Sequence, residues 1–176
     1  MGEIPEDVSG AAGSRGNLMG GLAGVGTGLV ALGMVTVNWT VGVICCCCNI
    51  TGITEVISLA LVVGASAAAA MSVDWSRVPG DDALGFGAKL GARVGVIAGL
   101  LGGILGFLAK LIGSLLSSLY NAYASGQDLM DALMAGMATL ALLAAGSAVI
   151  GVIFAIASTI FGAGTGAAVG MMKKQA

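Results

Sequence analysis

Long apolar stretches broken by short polar segments dominate the 176-residue chain. From Gly16 to Thr54 no residue carries a formal charge, a run of 39 positions. A membrane-crossing helix needs about 20 apolar residues, so this run holds one span, placed at 18–44, with room for a turn through Asn49, Thr51, Gly52 and Thr54. The apolar pattern resumes around Glu55 and predicts a second span at 53–73. The break from Asp74 to Asp82 is the most water-like segment. There Pro79-Gly80 marks a turn, Asp81 or Asp82 is placed to cap the next helix, and Trp75 suits an interfacial anchor. A third helix is expected from Ala83 to about Tyr120, with its span at 86–119 and with Lys89 and Arg93 in its first turns. After a break containing Tyr120, Tyr123, Gly126 and Asp128, the positions from Ala132 to Met172 form 41 charge-free residues. As one helix they would reach about 60 Å, twice a hydrocarbon core of about 30 Å. The pattern therefore predicts a fourth span at 129–156. A separate apolar piece at 161–172 is too short to cross alone, and is read as an extension, a re-entrant segment or an interfacial helix.

Composition narrows the class. Hydrophobic residues make up 57% of the chain and charged residues 9%, and mean hydropathy is +1.03. Soluble domains carry about 25% charged residues, so this chain has too little charge to cover a water-facing surface. The expected fold is all-α: a polytopic membrane protein of about four transmembrane helices. It is read as a single membrane domain over 18–172, between a polar N-terminal tail at 1–17 and a basic C-terminal tail at 173–176. The acidic N-terminal segment, with Glu3, Glu6 and Asp7, lacks the basic start of a secretory signal. Glu6 stands where a myristoylation motif wants Ser or Thr. Lys and Arg set orientation. Arg15, then Arg77, Lys89 and Arg93, then Lys173 and Lys174 fall on one side of an even number of spans. Both termini are thus expected to be cytoplasmic, or interior in a virion.

Glycine spacing is the most specific pattern. Gly16, Gly20, Gly24 and Gly28 recur every fourth residue in the first helix, as do Gly87, Gly91, Gly95, Gly99 and Gly103 in the third, with an echo at Gly162, Gly166 and Gly170. Residues four apart share a helix face, so each run is a groove without side chains. Lipid tails are as apolar as leucine, and helices in a bilayer associate through close packing of such small residues. These glycine zippers fit either packing inside one bundle or contacts between subunits. A second flank of the third helix carries Leu101, Leu105, Leu108, Ile112, Leu115 and Leu119 at steps of four and three, a heptad-type seam suited to another neighbour. Gly16 and Gly28 lie 71 positions before Gly87 and Gly99, consistent with two hairpins in the same orientation.

Candidate chemistry is sparse. The chain has no histidine, which removes the commonest metal ligand and general base. Cys45, Cys46, Cys47 and Cys48 are consecutive, a spacing unsuited to a tetrahedral metal site or to intramolecular disulfides. They read as small apolar residues at a helix end or as sites of S-acylation. Asn38 and Asn49 match the glycosylation pattern but lie in or against the bilayer, where turn chemistry accounts for them better. Glu55 and Lys110 are the charges near the spans on the far side, and intramembrane ionisable groups raise a transport hypothesis. Their positions near helix ends let both reach headgroups. A rotor-ring reading fails because 57–73 and 132–172 contain no carboxylate.

The segment Ser125-Gly126-Gln127-Asp128-Leu129-Met130 resembles the beginning of mature F-type conjugative pilins. In general character the chain is similar to small hydrophobic hairpin proteins that build pili or the membrane shells of archaeal viruses. With no catalytic constellation, almost no extramembrane mass and helix faces suited to repeated close contacts, the chain reads as a structural, self-assembling membrane protein with no enzymatic role and no cofactor, in line with that resemblance. The expected partners are membrane lipid and further copies of itself in a homo-oligomer or larger assembly. Nucleic acid is not among them, since no basic patch or reading motif is present. The alternatives are a small channel or transporter subunit, or an accessory subunit of a membrane enzyme.

Overall fold

The computed structural model describes the backbone of residues 4–44, 51–126 and 128–175. Four α-helices carry nearly all of it: α1 (Glu6–Ile44), α2 (Thr51–Met71), α3 (Ala83–Ser125) and α4 (Leu129–Gln175). Short 3-10 turns at Trp75–Arg77 and Gly80–Asp82 connect α2 to α3, and no strand occurs among the described residues. Four helical stretches are long and apolar enough to cross a membrane: Glu6–Val37, Thr54–Met71, Gly80–Ser125 (α3 with the turn before it) and Ala148–Gln175. The chain is an all-α, multi-pass membrane protein.

Two expectations about the chain ends change. The segment 1–17 is not a tail throughout, because α1 starts at Glu6 and buries Val8 and Ala12. The predicted division of the last apolar region gives way to one helix of 47 residues, about 70 Å long. Its last turns are an extension of the helix. Gly170 packs on the Ala83 carbonyl at the start of α3, and Val169 joins a cluster with Val8, Trp75 and Ala83. The start of α1 and the end of α4 therefore meet at the same end of the bundle.

Helix directions follow from which residues meet. Gly16, Gly20, Gly24 and Gly28 of α1 face Leu90, Ile97, Leu101 and Leu105 of α3, so these two helices run parallel. Gly87, Gly91, Gly95 and Gly99 of α3 face Gly166, Gly162, Ser158 and Ala155, so α4 runs antiparallel to α3. Gly26 of α1 meets Leu61, and Arg15 reaches the Ser72 carbonyl, so α2 runs back along α1. The result is an up-down-up-down bundle in which α3 packs against every other helix.

The polar end is more ordered than its composition suggests. Trp75 is 5% exposed, and its Nε1 donates to the Ala70 carbonyl at 2.8 Å. Its ring meets Phe86 edge-on, with centroids 6.0 Å apart. The expected interfacial anchor is thus a core residue, and burial is possible because α2's last turn supplies the acceptor its N–H needs. Around this core lie polar ties between elements. Arg93 Nε donates to Asn17 Oδ1 at 2.7 Å, and Arg77 pairs with Asp7 at 2.7 Å. Asp74 Oδ1 accepts from the Ser76 hydroxyl at 2.6 Å, which holds its carboxyl below the usual carboxylate range. A lowered folded-state value means that this contribution is complete above the unfolded value and is lost as pH falls through the folded one. Asp82 occupies the position before α3 without capping it through its side chain. At the other end Gly126, in the left-handed region at φ 67°, closes α3 by donating its N–H to the Ala122 and Tyr123 carbonyls, the usual role of a glycine at this position.

Trp75→Ala should lower stability by about 3–5 kcal/mol, because it opens a cavity in this core. Asp7→Asn should change it by no more than about 1 kcal/mol, since that ion pair is exposed. Thermal unfolding of the two variants in the same detergent checks the contrast.

Candidate functional sites

The glycine positions singled out in the sequence fall into two kinds of contact. Between α3 and α4 the contact is backbone to backbone. A Cβ built on Gly95 would lie 2.8 Å from Thr159 Cα, and one on Gly99 would lie 2.7 Å from Ala155 Cα. On Gly87 and Gly91 it would overlap the Gly166 and Gly162 carbonyl oxygens. The relation is mutual, because a Cβ on Gly162 or Gly166 would overlap the carbonyls of Gly91 or Gly87. Between α1 and α3 the contact is side chain into groove. Positions 20, 24 and 28 would put a Cβ 2.9, 2.6 and 2.5 Å from the Cβ atoms of Ile97, Leu101 and Leu105. Gly103, last of the third-helix row, has looser surroundings, with Gly151 Cα at 3.7 Å.

The leucine seam of α3 divides. Leu101 and Leu105 fill the α1 groove, whereas Leu108 and Ile112 are exposed and Leu115 and Leu119 are half-buried. Leu100, Ile104, Leu108, Ile112 and Leu116 form a continuous exposed stripe, as do Leu18, Leu22, Val25, Leu29 and Leu32 on α1. Such stripes are the expected lipid-facing surface of a membrane bundle. Cys45 to Cys48 and Asn49 lie outside the described residues, as does the side chain of Asn38.

Two of the concave sites lie along the apolar spans. The larger is a groove of about 680 Å³ between α3 and α4. Gly99, Gly103, Gly151 and Ala155 belong to its lining, with Leu100 and Ile104 on one helix and Val152, Ile156 and Ile160 on the other. Those five larger side chains are all about half exposed. A Cβ on Gly151 would meet no atom within 4 Å, so no contact within this chain requires a glycine there.

The smaller site is a partly open cavity of about 70 Å³ to which all four helices contribute. Glu55, Thr54 and Ser58 come from α2, Thr27 from α1, Lys110 from α3, and Phe154 from α4. Sequence reasoning placed Glu55 and Lys110 at helix ends, reaching for headgroups. The structure instead turns Glu55 inward, with Oε2 enclosed and without a hydrogen-bond partner. Thr27 is buried, and its hydroxyl donates to the Ala23 carbonyl at 2.9 Å. Thr27 and Ser58 are brought to the carboxylate only by the packing. Ser66 and Ser158 are two further enclosed hydroxyls without a partner. No group of three or more His, Cys, Asp or Glu side chains suited to a metal ion occurs among the described residues.

Comparisons with protein-family models, curated proteins and solved structures give no match.

The two kinds of position can be separated by adding one methyl group. Gly91→Ala should cost about 1–3 kcal/mol through overpacking against the α4 backbone. Gly85→Ala, where a Cβ meets nothing within 4 Å, should be neutral or stabilising by up to about 1 kcal/mol. Melting temperatures of both variants in mild detergent measure the difference.

Proposed function

We propose that this protein is a structural, self-assembling component of a membrane, which builds a larger array from copies of itself. The observation that carries this reading is the open α3–α4 groove. Its lining is apolar and includes Gly99, Gly103, Gly151 and Ala155, and a Cβ on Gly151 would meet no atom within 4 Å. A glycine inside a helix costs about 1 kcal/mol relative to alanine. Where such a glycine lines an open apolar groove, it suits the close approach of a helix from another copy. Small residues are what such an approach needs in lipid, where water exclusion supplies no driving force.

The glycine rows of α1 and α3 mainly support the bundle, because their contacts lie inside the chain, and only Gly99 and Gly103 of the α3 row also border the groove. Assembly therefore uses the surface that they leave over. On this reading the end carrying Arg15, Arg77, Arg93 and both termini faces the cytoplasm, or the interior of an enveloped particle, in keeping with the distribution of basic residues. The similarity in type to membrane-shell and pilus proteins points the same way.

Gly151→Leu is the direct test. The variant should keep the helicity and melting temperature of the parent. After gentle detergent extraction it should run as a single chain, where the parent runs as an ordered multimer. A monomeric parent, or a multimer that survives the substitution, would sink the assembly reading. A discrete ring conducting ions in liposomes would favour a channel subunit instead.

A further inference from the structure

The cavity around Glu55 has a chemistry that packing alone does not explain. A carboxylate enclosed by apolar helices is costly unless it is paired or coordinated. Among the described residues Glu55 Oε2 has no hydrogen-bond partner, and Arg77–Asp7 is the ion pair found. The hydroxyl nearest in role is also turned the wrong way for an anion. Thr27 gives its proton to the Ala23 carbonyl, so its oxygen can offer only lone pairs to the cavity. Thr54 and Ser58 add two further hydroxyl oxygens to the lining. Oxygen atoms with free lone pairs around one negative charge are the surroundings that a hard cation takes.

Charge and size narrow the class. The cavity holds one carboxylate, and α1 and α4 contribute no ionisable group to it. Calcium sites gather several carboxylates and six to eight oxygens, more than this cavity provides. We propose that the Glu55 cavity binds a single monovalent alkali cation, with Glu55 as its counter-charge and Thr27, Thr54 and Ser58 as neutral oxygen ligands. Lys110, on the same lining but largely exposed, is a tethered competitor. Its ammonium swung inward neutralises Glu55 and excludes the ion, and swung outward it admits the ion. This site lies within one chain and does not depend on the assembly proposed above.

The test is equilibrium binding of radioactive sodium to the purified, reconstituted protein, with N-methylglucamine as the inert replacement. The parent should bind about one ion per chain saturably, since ligands that bind only the folded state stabilise it, and its melting temperature should rise in sodium at constant ionic strength. Glu55→Gln should weaken binding by about tenfold or more, a loss of about 1.4 kcal/mol. Lys110→Met, which removes the competitor, should strengthen it. Absence of saturable binding in the parent, or undiminished binding in Glu55→Gln, overturns the proposal. Should Glu55→Gln fail to fold, Lys110→Met decides: weaker or unchanged sodium binding overturns the site, and tighter binding supports it.

Discussion

The approach of two backbones, α3 and α4, is the constraint on which the bundle depends. In water a glycine-rich interface would be a poor core, because it buries few side-chain atoms. In a bilayer the comparison changes, since leucine against leucine gains little over leucine against lipid. What distinguishes the folded arrangement there is contact density at backbone distance, and each Cβ removed from the interface allows more of it. Gly87 against Gly166 and Gly91 against Gly162 remove it from both sides at once. Once α4 is held so close on one flank, α3 presents its larger side chains to α1, and the α1 glycines accept them. One helix thus offers grooves to one neighbour and knobs to another.

Much of this was legible in the sequence, and the reasons differ by feature. Charge gaps located the helices because an ionised side chain is excluded from hydrocarbon whatever the packing. The glycine rows were visible because a period of four puts residues on one face. Their partners were not, since spacing within a helix says nothing about which helix it meets. The choice between contacts inside a chain and contacts between chains was equally closed to sequence alone. Leu101 and Leu105 show the same limit: a heptad step marked them as knobs, but only the structure shows that Gly24 and Gly28 receive them.

The misread positions share another cause. Trp75 and residues 6–17 were assigned to the interface and to a tail because polar neighbours surround them. Each is instead held by a specific satisfied bond or apolar contact that local composition does not record: the Ala70 carbonyl for Trp75, and the Trp75 cluster for Val8 and Ala12. The last apolar region was divided because one helix across it exceeds the bilayer. Its extra length packs instead against the polar end of α3, where Gly162, Gly166 and Gly170 find backbone or ring to touch. Glu55 was sent outward by the rule that charges near helix ends snorkel. Its inward direction is a property of the four-helix packing.

The unequal helix lengths have a consequence for depth in the membrane. Helices α1, α3 and α4 hold 39, 43 and 47 residues, whereas α2 holds 21. At about 1.5 Å per residue, only α2 approximates a hydrocarbon thickness of about 30 Å. The long helices exceed that thickness and must tilt or reach beyond the hydrocarbon. Helix α2 has no such excess, and Glu55 stands near one end and Ser72 with its Arg15 contact at the other. The shortest element therefore serves as the depth gauge, and a bilayer that thickens or thins is felt first at the two ends of α2.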